Sequence, residues 1–219
     1  YNNSFLLFNT KWINMPEFTT YNLWPIPVYK SNVPVREKWK VLLKGLEYER
    51  THVNNSDISK DRNVLNSMPE LKTEIENHCE LFVRKYLTVK NSAKFYLQNS
   101  WCNIHGPNES SQIHYHSSAL LSGVYYPILP KNSGNISFHR GNIYTNLFHQ
   151  SIRFEYDENN NINAEQYAIE LEEGTIVIFP SHLEHSVQKN LSNENRYSLA
   201  FNFYVRGKFG KEEYELEIK

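Results

Sequence analysis

The chain has 219 residues, a formal net charge of −1 and a sequence pI near 6.8. This near-neutral charge argues against a protein whose whole surface is built to bind nucleic acid or anionic membranes. Two cysteines are too few for a disulfide framework, and no apolar run approaches the roughly 20 residues of a membrane span. We therefore expect one soluble domain over residues 1–219, in a reducing, cytoplasmic setting.

Two helices are predicted in the first part of the chain, after a short edge strand. Prolines and β-branched residues in LWPIPVYKSNVP, residues 23–34, predict the strand. Residues 35–50 place apolar side chains at helical spacing, which predicts the first helix, and the polar turn formers of residues 51–63 predict a loop. The second helix is predicted over residues 68–87, with Pro69 in its first turn. Its apolar stripe comprises Leu71, Ile75, Cys79, Phe82 and Tyr86.

Short β segments replace the helical patterns from about Lys94 onwards. Turn formers such as Pro130 and Gly134 separate them, which is typical of a sandwich or barrel. Helices followed by many strands predict an α+β, mainly β chain whose N-terminal helices buttress a jelly roll. We expect an N-terminal strand and helices over 1–93, the jelly-roll core over 94–205 and a tail over 206–219. The predicted strands are KFYLQNSWCNIH, SQIHYHS, LLSGVYYPIL, GNISFH, SIRFEY, QYAIEL, TIVIFP, HSVQKN and RYSLAFNFYV.

His114 and His116 form a His-x-His pair within SQIHYHS. Residues i and i+2 of a strand project from the same face, so both imidazoles can point to one place inside a barrel. Imidazole binds iron, zinc, copper and nickel, and a facial set of three protein ligands leaves coordination positions open. The pair therefore predicts a metal site with a third ligand from a distant strand. A packed or exposed pair that binds no metal is the alternative.

The third ligand is predicted to be His185, which follows the apolar strand of EEGTIVIFPSHLEHSV, and His182 competes with it. Arg196 comes eleven positions after His185. An inward-facing arginine needs an anionic partner, and a dicarboxylate cosubstrate would supply one. A surface ion pair with Glu194 is the alternative. Strand alternation places one polar face on RYSLAFNFYV, formed by Arg196, Ser198, Ala200 and Asn202.

At these residues the chain resembles the 2-oxoglutarate/iron(II) oxygenase superfamily, in which a His-x-Asp pair, a distal histidine and a later basic residue mark the site. Its segments HYHSSALLSGVYYP, LEEGTIVIFPSHLEHSV and NRYSLAFN look like a family of bacteria and their viruses that carries HxHxxxxLSGVYY and FPxxxxHxV. The WPIPVY segment also resembles that family's start. The resemblance therefore covers most of residues 24–205.

The resemblance implies a double-stranded β-helix that uses Fe(II), 2-oxoglutarate and dioxygen. Such an enzyme hydroxylates a substrate, here unidentified, and releases succinate and CO2. His114 and His185 match the superfamily's two histidines, whereas His116 stands where an aspartate usually stands, so it is either a ligand or a partner behind the ligands. Arg196, with Ser198, would bind the far carboxylate of 2-oxoglutarate. No membrane or nucleic-acid partner is indicated.

Three further side chains are candidates for the cosubstrate pocket. Tyr126 is in the right region to hydrogen-bond the far carboxylate, although Tyr125 faces the opposite way and only one of them can do so. Asn103 and Asn202 could line the cosubstrate or the substrate mouth. We expect residues 134–166 to cover that mouth. The remaining histidines are expected on the surface: His52, His78, His105, His139 and His149.

Two other functions fit part of this pattern. A three-histidine cupin-type dioxygenase would bind its substrate directly to iron, without 2-oxoglutarate, and would have no need of Arg196. A non-catalytic jelly-roll module with a binding or structural role would keep the histidines for zinc, or keep them by descent. The state of Arg196 separates the first alternative from a 2-oxoglutarate-dependent enzyme, and turnover of 2-oxoglutarate separates the second.

Overall fold

The computed structural model describes residues 19–23, 25–51, 55–141, 154–210 and 214–219. Over these residues the chain is mainly β, with α1 at Glu37–Lys44 and α2 at Pro69–Leu81. A 3₁₀ turn at Val64–Ser67 precedes α2. The strands are β1 (Tyr29–Asn32), β2 (Tyr48–Thr51), β3 (Ser56–Ser59), β4 (Ala93–His105), β5 (Ser111–His114), β6 (Leu121–Ile128), β7 (Ile136–His139), β8 (Gln166–Ile169), β9 (Thr175–Pro180), β10 (His185–Val187), β11 (Arg196–Phe209) and β12 (Leu216–Ile218).

Two antiparallel sheets form a jelly roll. The large sheet has the order β1-β9-β6-β11-β4-β3-β2, with β12 beside β11, and the small sheet has the order β5-β10-β7-β8. Their inner faces meet where Phe138 of β7 packs edge-on against Phe179 of β9, with ring centroids 4.9 Å apart. The predicted mainly β jelly roll is confirmed. None of the described helices is long and apolar enough to cross a membrane.

The helices cover the outer face of the large sheet, as predicted. Trp39 of α1 contacts the ring of Tyr125 in β6 edge-on, with centroids 6.3 Å apart. Leu71 and Ile75 of α2 lie in the same buried cluster as Phe201 of β11. Removal of these apolar side chains from water is the main force that holds the helices on the sheet. The opposite face of the large sheet therefore looks into the jelly roll.

Strand β11 shows why the polar face predicted from the sequence lies inside. Leu199, Phe201 and Phe203 belong to the cluster under the helices. Side chains alternate along a strand, so Arg196 and Asn202 project from the other face, towards the small sheet. Both are buried, at 0% and 7% exposure. The predicted alternation is confirmed by this burial.

The prediction is wrong for residues 45–51 and 56–59. α1 ends at Lys44, and β2 and β3 pair antiparallel where a helix end and a loop were expected. β3 is held against β4, and the backbone N–H of Cys102 donates to Ser59 Oγ at 3.0 Å. These strands lie at the edge of the sheet, where polar side chains are common. Pairing with a strand that is distant in the sequence determines the structure of β2 and β3. Such pairing leaves no local apolar pattern in the sequence.

Two further local predictions are wrong. The apolar stripe of the second helix fails at Tyr86, which is 66% exposed. A π-helical turn over Phe82–Tyr86 continues α2, and its wider turn rotates the following side chains away from the α-helical stripe. Val83 is buried in its place. In the predicted strand SIRFEY, residues 154–156 are in no strand, and residues 151–153 lie outside the described residues.

Candidate functional site

Three histidines meet inside the jelly roll. His114 ends β5 and His185 begins β10, and the two are direct partners in the antiparallel register. Their ring centroids are 4.3 Å apart. His116 lies just after β5, where its backbone N–H donates to Ser181 O at 2.9 Å. One ring nitrogen from each histidine lies within 4.8 Å of the others, so the predicted set His114, His116 and His185 is brought together.

Each of these imidazoles is held by an oxygen at Nδ1. The partner is a backbone carbonyl for His114, Gln112 O at 2.8 Å, and for His185, Leu183 O at 2.9 Å. For His116 it is the side-chain Oδ1 of Asn202, at 2.7 Å. Carbonyl oxygens only accept, so Nδ1 carries the hydrogen in each neutral ring and Nε2 keeps a free lone pair. Ligands of a bound metal are oriented in this way in proteins.

Asn202 is the centre of a polar network behind His116. Besides His116, its Oδ1 contacts Ser122 Oγ at 2.8 Å, and its Nδ2 donates to Asn99 Oδ1 at 3.0 Å. Ser122 Oγ also lies 2.9 Å from Ser181 Oγ. Asn202 was expected to line the cosubstrate or the substrate mouth. In the structure it contacts His116, six residues along β11 from Arg196.

The surroundings of His185 and His116 keep these two imidazoles uncharged. The ring of His185 lies 4.8 Å from that of Phe179, between centroids, and burial lowers the pKa of His185 to about 3. Burial also lowers the pKa of His116, whose ring lies 5.6 Å from that of Trp101. Neutral imidazole is the form that binds metal ions. The cluster is therefore prepared for a metal near neutral pH.

Arg196 is fully buried at the other end of this interior. Its Nη1 donates to the carbonyl oxygens of Ser133, Gly134 and Gln188. Nε and Nη2 are also buried, and neither has a hydrogen-bond partner. Burial lowers the pKa of Arg196 to about 10, so the guanidinium stays charged at neutral pH. Its complete burial excludes the alternative of a surface ion pair with Glu194.

Residues 99–202 match the model of a family described as "Putative 2OG-Fe(II) oxygenase". The match runs from β4 into β11 and contains the three histidines and Arg196. This part of the chain is therefore similar to the 2OG-Fe(II) oxygenase family. Among curated proteins, none matches the sequence.

Several solved structures have a similar fold. An oxidoreductase of the 2OG-Fe(II) oxygenase family from Burkholderia pseudomallei is 12% identical, with a TM-score of 0.54 over 76% of each chain. SnoK, a non-heme α-ketoglutarate-dependent carbocyclase from nogalamycin biosynthesis, is 13% identical, with a TM-score of 0.53 over 83% of this chain and 82% of SnoK. HygX from Streptomyces hygroscopicus, solved with nickel, 2-oxoglutarate and hygromycin B, is 12% identical, with a TM-score of 0.52 over 81% and 82%. These likenesses concern the fold.

The other predicted pocket residues lie near Arg196. Ser198 is buried on the same face of β11, and Asn103 is half-buried directly opposite it on β4. Tyr126 is buried in the inner cluster, and burial raises the pKa of its hydroxyl. The charge of Arg196 opposes this rise, because the two side chains lie close together. Tyr125 faces the helices, and its hydroxyl donates to Val33 O at 3.1 Å. Tyr126 is therefore the tyrosine that faces the interior.

His105 is a residue of this interior that the sequence interpretation missed. It was expected on the surface, but it is 2% exposed and is the direct register partner of Arg196. The signal that could have identified it is the alternation of β4, where His105 follows Asn103 and Trp101 on one face.

None of the other described histidines is part of the cluster. His182 is exposed, so the structure brings His185 and not its competitor to the site. His139 is half-buried and lies 2.8 Å from Ser186 Oγ through Nε2, and His78 is held by the hydroxyl of Tyr29 at 2.7 Å. His52 and His149 lie outside the described residues, as do residues 142–153 of the segment 134–166 that was expected to cover the mouth.

Proposed function

We propose that the chain is an Fe(II)- and 2-oxoglutarate-dependent dioxygenase that hydroxylates a C–H bond of its substrate. One atom of dioxygen would enter the substrate and the other would enter succinate, with CO2 released from 2-oxoglutarate. One observation carries the proposal. The Nε and Nη2 edge of the charged Arg196 side chain is buried and has no hydrogen-bond partner among the described residues. Arg196 lies on the same face of β11 as Asn202, which contacts the histidine cluster.

The three histidines would hold the iron. They offer three Nε2 lone pairs from one side, which leaves positions for an oxoacid and for dioxygen. Bound iron would supply the activation of dioxygen and the oxidation of the C–H bond. The protein would fix His114 and His185 through the strand register and His116 through Asn202. With three neutral ligands the centre keeps the full charge of the metal, which favours anionic oxoacids.

Arg196 would bind the far carboxylate of 2-oxoglutarate. Nε–H and Nη2–H are parallel donors that match the two oxygens of a carboxylate. Ser198 and Tyr126, both buried beside it, would complete this end of the pocket. Nη1 is already held by three carbonyls, so the fork is fixed before the anion binds. A three-histidine dioxygenase without 2-oxoglutarate would leave this charged edge unpaired, which is costly in a buried position.

The proposal also covers the setting of the chain. We propose that residues 1–219 form one oxygenase domain, which works in the cytoplasm of a bacterial cell or of a virus-infected host. Cys79 and Cys102 are free and buried, and burial raises the pKa of each thiol to about 12. Free thiols are typical of a reducing compartment. Thiol labelling after unfolding without reductant should modify both cysteines, and a disulfide-linked product would argue against this setting.

Succinate formation tests the enzymatic proposal. With Fe(II), 2-oxoglutarate and air, the wild-type protein should form succinate even without its primary substrate, at a slow uncoupled rate. Arg196→Ala should raise the 2-oxoglutarate requirement at least about 100-fold, because two hydrogen bonds to a charged group are lost. Its metal affinity should change little. Arg206→Ala, at an exposed arginine of the same strand, is the matched control. Equal loss of metal and oxoacid binding, or loss of neither, would count against this role.

A further inference from the structure

We propose that His105 is a second anchor for the far carboxylate of the oxoacid, to which it donates a hydrogen bond from Nδ1. This inference rests on the function proposed above. It assigns a ligand-binding role to a histidine that lies nine positions before His114 and is no part of the metal cluster.

The register of the large sheet places His105 beside Arg196. The two residues are direct partners between β4 and β11, so their side chains leave the same face of the sheet as neighbours. Arg196 reaches across to the carbonyl of Ser133, and His105 reaches across to Ser111 at the start of β5. Both side chains lie at the end of the interior away from Asn202. A carboxylate at Arg196 would therefore lie within the surroundings of His105.

One ring nitrogen of His105, Nδ1, has no hydrogen-bond partner within the described part of the chain. Nε2 lies 2.8 Å from Ser111 Oγ, whereas Nδ1 is buried and has no partner. Burial and the nearby charge of Arg196 lower the pKa of His105 to about 3, so the ring is neutral and carries one hydrogen. The Ser111 hydroxyl can donate to Nε2, which leaves the hydrogen on Nδ1. Buried donors without a partner are rare in native proteins, so Nδ1 needs a partner from outside the chain.

The unpartnered atoms near Arg196 fit one carboxylate. They are Nε and Nη2 of Arg196, Nδ1 of His105 and Oγ of Ser133, the residue whose carbonyl accepts from Arg196. All four can donate, and the two oxygens of a carboxylate offer about four lone-pair sites. The guanidinium balances the negative charge and a neutral histidine adds none. The pocket should therefore prefer an oxoacid with a second carboxylate over one that ends in a methyl group.

Two substitutions distinguish the roles of the two ring nitrogens of His105. Asparagine places an N–H near the position of Nδ1, and glutamine places its amide near the position of Nε2. We expect His105→Gln to raise the Kd of 2-oxoglutarate for the Ni(II)-loaded protein at least about tenfold, the loss expected for one hydrogen bond to a charged group. His105→Asn should stay within about threefold of wild type. The Kd of 2-oxobutyrate, which lacks the far carboxylate, should not change in either variant.

Calorimetric titration of the Ni(II)-loaded proteins gives these constants without turnover. Wild-type binding of 2-oxoglutarate with no effect of His105→Gln would overturn the role of His105 alone, and so would equal weakening of 2-oxobutyrate. Absence of 2-oxoglutarate binding to the wild-type protein would overturn the proposed function together with this inference. A measurement on the folded wild-type Zn(II) protein needs no variant. In ¹⁵N-histidine spectra, an Nδ1–H signal outside the metal cluster should move on addition of 2-oxoglutarate but not of 2-oxobutyrate, and no such signal would contradict the proposal.

Discussion

His114 and His185 are direct cross-strand partners in the small sheet, with ring centroids 4.3 Å apart. Backbone pairing, not the side chains alone, therefore sets the distance between them. A slip of one residue in this register would turn one imidazole to the opposite face of the sheet. Phe138, the partner of His185 on its other side, packs against Phe179 and so fixes the same register from the core.

This pairing predicts that His185 binds the metal and that its neighbour His182 does not. His185→Ala should lower the affinity for Fe(II) or Ni(II) more than about 100-fold. Mutation of a residue that only hydrogen-bonds to a metal ligand typically lowers metal affinity about 10–100-fold. His182→Ala, at an exposed position of the same turn, should bind metal like the wild type. Competition titration with a chelator measures both constants. Comparable loss in the two variants would remove His185 from the ligand set.

The contact between Asn202 and His116 predicts a graded effect on metal binding. Asn202→Leu removes the amide acceptor of His116 Nδ1–H, which leaves Ser122 Oγ at 2.9 Å as its remaining partner, and should lower metal affinity about 10–100-fold. Asn202→Asp keeps an acceptor and adds a negative charge near the metal, so its affinity should equal or exceed that of the wild type. Co(II) absorption spectra report the ligand field directly. If both variants bind metal like the wild type, His116 is not held in the site by Asn202.

Local patterns predicted the parts of the site that depend on strand faces. The alternation of β11 identified Arg196 and Ser198, and the His-x-His pair identified His114 and His116 as neighbours. His116 is not in the strand, however, and its backbone bond to Ser181 places it. Sequence spacing could not show this bond, because it joins segments far apart in the chain.

The missed features have the same origin. His105 becomes an interior residue only because β11 pairs with β4. The polar strands β2 and β3 become part of the large sheet only because β4 offers an edge. The π-helical turn after α2 turns Tyr86 away from the apolar stripe of the helix, and no proline or glycine in the sequence indicates this turn. Pairing partners and burial by distant segments decide all three, and these do not appear in local periodicity.

The buried His105 predicts a pH dependence of stability. Its pKa in the folded protein is about 3, against 6.5 for an ordinary histidine. Between these values the unfolded chain binds a proton that the folded chain does not, so the free energy of unfolding falls as pH drops below 6.5. From pH 7 to pH 5 this group alone should remove about 2 kcal/mol. Urea unfolding of the metal-free wild type and of His105→Gln measures the difference. A decrease of the same size in the variant would assign the effect to other groups.

Gly123 is predicted to be essential for packing in the middle of β6. A Cβ at this position would overlap the ring of Phe201 and lie 2.7 Å from Val177 O. Gly123→Ala should therefore lower the free energy of unfolding by about 1–3 kcal/mol. Gly45→Ala is the matched control, because its φ is −91° and the nearest atoms would be 3.5 Å away. That change should be neutral or slightly stabilising. Equal urea midpoints for the two variants would contradict the packing around Gly123.

Anaerobic addition of Fe(II) and 2-oxoglutarate tests the central claim most directly. If the three histidines hold iron and Arg196 anchors the oxoacid, the mixture should develop the visible charge-transfer absorption of an oxoacid chelated to iron(II). Iron alone should not produce it, and Arg196→Ala should need far more 2-oxoglutarate to reach the same absorbance. Admission of air should then discharge the band with formation of succinate. Absence of the band in the wild-type protein, with no succinate after aeration, would contradict a 2-oxoglutarate-dependent oxygenase.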